Sequence, residues 1–316
     1  MNVSKDALFY AKILLFGEYG IIRDSMGLSI PYNYYEGSLQ NPSNSPSETQ
    51  RKSNEQLGVF LKHLKHLDQS GEAPCALDLE AFEEDLSTGM FFDSTIPQGF
   101  GVGSSGALVA AIYDRYAIDR IPNQAQLPAE KVKELKHILG RLESFFHGKS
   151  SGIDPLICYL RLPVLIKSGD ELGTVELPES SFQGKGAIFL LNSGQPGSTQ
   201  SMVNIFMEKM KHEGFRNMLK EQFTKYNDAC IQAFLKGEVR GLFQNLRQLS
   251  QVLLENFSPM IPERFHQLWK QGIDSGDYYL KLCGSGGGGF VLGFTEDYEK
   301  VSKQLSDYHP ELIQRI

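Results

Sequence analysis

Ten residues constrain this chain more than any others: Pro97-Gln98-Gly99-Phe100-Gly101-Val102-Gly103-Ser104-Ser105-Gly106. Three glycines at alternate positions precede two serines, and Ala107 to Ala117 follows with no helix breaker. Glycine lets a backbone take positive φ and approach a ligand closely. A helix beginning there offers free N–H groups and a positive dipole end to an anion. The two hydroxyls add hydrogen bonds or a metal ligand. Alone, the loop predicts an anion held at a helix start.

The familiar phosphate loops fail one by one. A dinucleotide fingerprint needs an apolar strand just before Gly101-x-Gly103-x-x-Gly106 and an acid about 20 residues on. Asp93-Ser94-Thr95-Ile96-Pro97 is no such strand, and Asp119 comes too early. A protein-kinase loop would be followed by V-A-I-K, H-R-D and D-F-G, and none follows. Gly148-Lys149-Ser150 imitates a P-loop, but the glycine required five positions before Gly148 is Glu143.

Size and charge narrow the class further. At 316 residues the chain exceeds what one core usually serves, so two domains are expected. Division is expected where Pro178, Ser180, Ser181, Gly184 and Gly186 cluster, giving domains 1–180 and 181–316. The net charge of −7 argues against a nucleic-acid surface, which needs clustered Lys and Arg. Cys75, Cys158, Cys230 and Cys283 are scattered without metal-ligand spacing and read as reduced thiols of a cytoplasmic protein. Ala7 to Phe16 is apolar but broken by Lys12 and lacks a basic leader, so it makes a poor signal peptide. No apolar run is long enough to span a membrane.

Periodicity predicts an α+β chain. Ala7 to Ile22 reads as a strand, a Gly-Glu turn and a second strand start. Gln40 to Ser53 reads as a polar loop, and Asn54 to Leu67 as a helix. Leu77 to Phe82 and Gly89 to Ile96 read as strand or turn. Ala129 to Phe146 is a helix with Val132, Leu135, Ile138, Leu139, Leu142 and Phe146 on one face. Ile153 to Lys167 reads as strand. A buried strand at 186–192 opens the second half. Helices follow at 198–211, 214–236, 239–257 and 262–276. Two strands, 278–283 and 289–294, flank a glycine run, and a last helix ends near Tyr308.

Pro97–Ala107 resembles the second signature of the GHMP kinases, P-x-G-x-G-L-G-S-S-A-A, with Val102 for Leu and Gly106 for Ala. Lys12 to Gly20 resembles the first signature, K-x-x-L-x-G-E-H, with Tyr19 for His. Lys281 to Gly289 resembles the third, K-x-x-G-A-G-G-G-G. Glu143 to Asp154 resembles E-x-x-x-H-G-x-x-S-G-x-D.

The resemblance implies a two-domain fold. Its N-terminal domain would be like ribosomal protein S5 domain 2, and its C-terminal domain ferredoxin-like. It implies ATP on Pro97, Gly99, Gly101, Val102, Gly103, Ser104, Ser105 and Gly106, and Mg²⁺ on Ser105 and Glu143. Asp154 and Lys12 become the catalytic pair. Asp154 orients the acceptor hydroxyl and takes its proton, and Lys12 is its ion-pair partner. Glu18, Tyr19, Gly152, Ser285 and Gly286 become acceptor-binding residues. His147 is expected to be structural, and the third glycine run to pack beside the phosphate loop.

Asn192-Ser-Gly-Gln-Pro196-Gly-Ser198-Thr199 resembles the T-x-x-P-x-S-T stretch of the mevalonate and phosphomevalonate branch. The resemblance therefore points to mevalonate as the small-molecule substrate. Phosphomevalonate or sugar phosphorylation, a non-catalytic regulator and a decarboxylase relative are the alternatives. Neither nucleic acid nor membrane is an expected partner, and a homodimer is left open.

Overall fold

The computed structural model describes residues 7–23, 25–42, 45–124, 127–167, 171–178 and 184–316. The expected domain division at 177–186 falls partly outside them. The chain forms two compact units: Met1–Lys12, Pro31–Pro97 and Gly103–Leu162 make the first, and Ile13–Ile30, Gln98–Val102 and Pro163–Ile316 the second.

In the first unit, β1 (Phe9–Phe16) contributes its opening residues and β2 (Gly27–Gln40) its latter part. β3 (Phe91–Ser94) pairs antiparallel with β2, placing Gly37 opposite Ser94 and Gln40 opposite Phe91. Helix α1 (Glu48–Ser70) buries Leu57, Phe60, Leu61, Leu64 and Leu67. It packs on β3 and on α2 (Leu79–Ser87). The centre of the unit is α3 (Ser104–Tyr116), α4 (Ala129–His147) and α5 (Ile153–Leu160), each packed on the other two. α3 and α5 are buried almost all round, which only helices enclosed by others can be.

In the second unit, β4 (Val164–Ile166) pairs antiparallel with the start of β2, and β5 (Leu172–Thr174) with β4. A second sheet has strand order β7-β8-β6-β9, all antiparallel. Its strands are β6 (Ala187–Asn192), β7 (Tyr278–Leu282), β8 (Phe290–Thr295) and β9 (Glu311–Arg315). The helices of the unit are α6 (Thr199–Lys209), α7 (Glu213–Met218), α8 (Thr224–Leu235), α9 (Val239–Asn256), α10 (His266–Ser275) and α11 (Tyr298–Gln304). A π-helical stretch, Leu219–Phe223, joins α7 to α8. α9 and α10 cover β7 with an apolar face that includes Leu246, Leu249, Trp269 and Ile273. No helix among the described residues is long and apolar enough to cross a membrane. All four cysteines are free, and all but Cys75 are buried.

The structure corrects the sequence reading in five places. α1 begins inside the expected loop, because Ser47 accepts from Gln50 N while the Gln50 side chain accepts from Ser47 N, a capping box. Leu79–Ser87 is helical, started by the Asp78 carboxylate accepting from Ala81 N. Ile153–Leu160 is helical, since a short, wholly apolar run does not distinguish strand from enclosed helix. Gly20–Arg23 is a 3-10 turn where a second strand was expected, and β2 starts only at Gly27. The C-terminal strand β9 was not foreseen.

Candidate active site

The loop at 97–106 meets α3 at Gly103, which caps the helix in the left-handed region with φ 84°. Glycine alone adopts that freely. A Cβ here would also lie 2.9 Å from Lys12 Cγ, so the glycine lets the lysine stem run beneath the loop. Having no side chain, Gly103 cannot cap the α3 amides, which suits the start of this helix to an anion. Gly106 stands where the resemblance expects alanine. A Cβ there would lie 2.8 Å from Pro155 N and 2.9 Å from Asp154 C. The substitution therefore brings the first turn of α3 against the first turn of α5.

Two side chains, Ser150 and His147, gather around Ser105 and the carboxylate of Glu143. Ser105 Oγ donates to Glu143 Oε1 at 2.8 Å, Ser150 Oγ donates to Oε2, and His147 Nε2 lies 2.9 Å from Ser105 Oγ. A hydroxyl has one proton. When Glu143 is ionised Ser105 gives that proton to Oε1, so His147 must donate from Nε2. Glu143 is only 4 % exposed. Its pKa is pushed up to about 7, first by burial and then by the charge of Asp154; the hydroxyls of Ser150 and Ser105 and the Lys12 ammonium pull the other way.

The second pair is ionic. Lys12 Nζ lies 2.9 Å from Asp154 Oδ2, with the lysine side chain 4 % exposed and the carboxylate 39 % exposed. Asp154 sits in the first turn of α5, where the helix dipole favours a carboxylate. Gly152, an expected acceptor residue, is the N-cap of that helix and packs against the Lys136 carbonyl of α4. Buried Cys158 approaches the Gly103 carbonyl at 3.7 Å, and burial holds its thiol well above its ordinary pKa.

Residues 98–102 belong to the second unit, where Gly197 N donates to Gly99 O at 2.8 Å. Gly101 faces the Cys283 carbonyl, and Phe100 meets Phe290 edge-on at 5.2 Å. The third glycine run thus does pack beside this part of the loop. Glu18 and Lys281 form an ion pair with both side chains 1 % exposed. Tyr19 takes φ 58°, stacks on Phe206 at 4.6 Å and donates its hydroxyl to Ser285 O at 2.6 Å. Ser285 Oγ reaches Thr199 Oγ1 at 3.3 Å, and Gly286 presses on the Met260 carbonyl. The carboxylate of Glu18 and the hydroxyl of Tyr19 are therefore both engaged by protein groups.

The structure brings Lys12, Ser105, Glu143 and Asp154 into one cluster within the first unit, with Gly103, Ser104 and Gly106 at its edge. Glu18, Tyr19, Ser285 and Gly286 form a second group, in the second unit. Ser150 escaped sequence reasoning because a lone loop serine carries no periodicity, and His147, expected to be structural, contacts Ser105. Among the described residues no cluster of three His, Cys, Asp or Glu could hold a metal ion. The Ser105 hydroxyl and Glu143 carboxylate nevertheless fit Mg²⁺, which prefers hard oxygens and takes most of its shell from water and phosphate. A buried carboxylate satisfied by hydroxyls is the kind of donor a cation would complete.

Residues 62–161 match the model of the GHMP kinases N terminal domain. That span holds the glycine-rich loop, Glu143 and Asp154. No curated protein matches the chain in sequence. Among solved structures, Leishmania major mevalonate kinase in complex with R-mevalonate is similar with a TM-score of 0.64 at 17% identity, over 99% of this chain and 97% of that one. Lactococcus lactis galactokinase complexed with galactose gives 0.65 at 12% identity, over 99% and 94%. Streptococcus pneumoniae phosphomevalonate kinase in complex with phosphomevalonate and AMPPNP gives 0.64 at 13% identity, over 99% and 100%. The chain therefore has the α+β fold of these kinases, mevalonate kinase among them, along its whole length, and resembles the GHMP kinases in sequence over residues 62–161.

Proposed function

We propose that the protein is an ATP-dependent kinase of a small hydroxyl compound, with mevalonate as the acceptor and 5-phosphomevalonate as the product, acting in the cytoplasm. The observation that carries this reading is the meeting of two pairs, Ser105 with Glu143 and Lys12 with Asp154, at the uncapped start of α3. Phosphoryl transfer is mostly positioning and charge neutralisation. The amides of the α3 start and the hydroxyl of Ser104 hold the phosphate chain. Ser105 and Glu143 would hold Mg²⁺, which when bound neutralises phosphate charge. Asp154 accepts the proton of the acceptor hydroxyl, and Lys12 holds its carboxylate in place. Pro97, Gly99, Gly101 and Val102 shape the loop that lies along the nucleotide. Glu18, Tyr19, Gly152, Ser285 and Gly286 are assigned to the acceptor side.

A second reading, phosphorylation of phosphomevalonate or a sugar, is favoured by one residue. Tyr19 replaces the histidine of the first signature, and its hydroxyl is given to Ser285 O. The test is ADP release from Mg·ATP across an acceptor panel. Turnover with mevalonate is expected. Turnover with phosphomevalonate or galactose alone would overturn the acceptor, and none with any acceptor despite ATP binding would overturn the kinase reading.

A further inference from the structure

Ser150 belongs to none of the signature positions, yet it makes the most connected set of hydrogen bonds around Glu143. Its hydroxyl donates to Glu143 Oε2 and accepts from Gly152 N at 3.0 Å. Its own amide donates to Ser144 Oγ at 3.2 Å, and that hydroxyl donates to Gly140 O at 2.7 Å. Ser150 is thereby anchored to α4 on one side and to the N-cap of α5 on the other.

A glutamate carboxylate rotates in a broad well about its last torsion. Ser105 can fix only one oxygen, Oε1. We infer that Ser150 is a positioning residue: it pins Oε2, sets the plane of the carboxylate, and so presents Oε1 and Ser105 Oγ together to a divalent cation. Through Gly152 N the same hydroxyl ties that plane to the turn that places Asp154 two residues later. The two halves of the cluster are thus set by one side chain. This inference rests on the proposed Mg²⁺ assignment of Ser105 and Glu143, and it adds Ser150 as the residue that orients them.

Partners one step outside a metal site typically govern affinity by about 10- to 100-fold. The experiment is a Mn²⁺ titration followed by electron paramagnetic resonance, with a non-hydrolysable ATP analogue present. It compares the intact protein with Ser150→Ala, Ser150→Thr and Ser150→Val. Threonine and valine have nearly the same shape, so only the hydroxyl separates them if alanine impairs folding.

The expected result is Mn²⁺ affinity reduced about 10- to 100-fold in the alanine and valine variants and restored by threonine. In turnover assays the Mg²⁺ requirement rises in the same two variants and is restored by threonine. A role confined to folding would lower thermal stability without separating valine from threonine in metal affinity, and that result overturns the inference. Unchanged affinity in both hydroxyl-free variants also overturns it, leaving the kinase reading intact. Failure of the unaltered protein to take up Mn²⁺ with the analogue overturns the metal assignment and this inference together.

Discussion

Among the described residues two glutamates are buried, and they are treated in opposite ways. Glu18, in the second unit, is matched by Lys281, and neither side chain exposes more than 1 % of its surface. Glu143, in the first unit, is equally enclosed but is answered by the hydroxyls of Ser105 and Ser150. Its nearby lysine, Lys12, is committed to Asp154. Charge is balanced at Glu18 within the protein, while at Glu143 the proton affinity rises to about 7 because burial and Asp154 outweigh what the hydroxyls return. The first arrangement is closed and holds structure. At the second the Lys12 ammonium offsets only part of the cost of burial, and on the proposed reading a bound cation would supply the rest.

Three variants test that contrast. The largest effect is expected at the closed site. Glu18→Gln leaves Lys281 buried without its counter-ion, which should cost about 3–5 kcal/mol of stability by urea unfolding. A loss under about 1 kcal/mol, the range of exposed pairs, would show that the pair is not the closed structural element described.

Next comes the ion pair beside the open site. Asp154→Asn should keep ATP affinity and lower kcat by at least about 100-fold, the lower range for an acid–base group. Near-normal turnover would remove Asp154 from the chemistry.

The smallest effect is at Glu143 itself, and its sign is opposite to that at Glu18. The folded-state pKa of Glu143 is raised, so its favourable contribution is complete below pH 4.5 and is lost as pH rises to about 7. Without bound cation, Glu143→Gln should therefore match the parent near pH 4 and be more stable at pH 8, by on the order of 2 kcal/mol. Equal stabilities at both pH values would mean that the carboxylate is not strained by its burial.

Much of this cluster was legible in the sequence. The order of Lys12, Ser105, Glu143 and Asp154 within ordered motifs was enough to pair them, and the structure places both pairs at 2.8–2.9 Å. What stayed hidden depends on packing. Gly106 departs from the alanine of its signature, and only the approach of α3 to Pro155 N explains why no side chain fits. The buried partner of Glu18 was hidden too, because its motif says nothing of Lys281, 263 positions away. α5 read as a strand because α3 and α4 enclose it and erase its polar face. The capping box at Ser47 and Gln50 was readable, but Pro42, Pro46 and the surrounding serines drew attention to a loop.

The proposed metal site requires that Glu143 bind a cation in competition with its own proton. Mn²⁺ binding with a non-hydrolysable ATP analogue, measured at pH 6 and pH 8 for the parent and Glu143→Gln, tests this directly. The parent should bind about tenfold more tightly at pH 8, because ligands must shed their protons to bind a metal. Glu143→Gln should bind weakly at both. Parent-like affinity in Glu143→Gln at pH 8 would contradict the account.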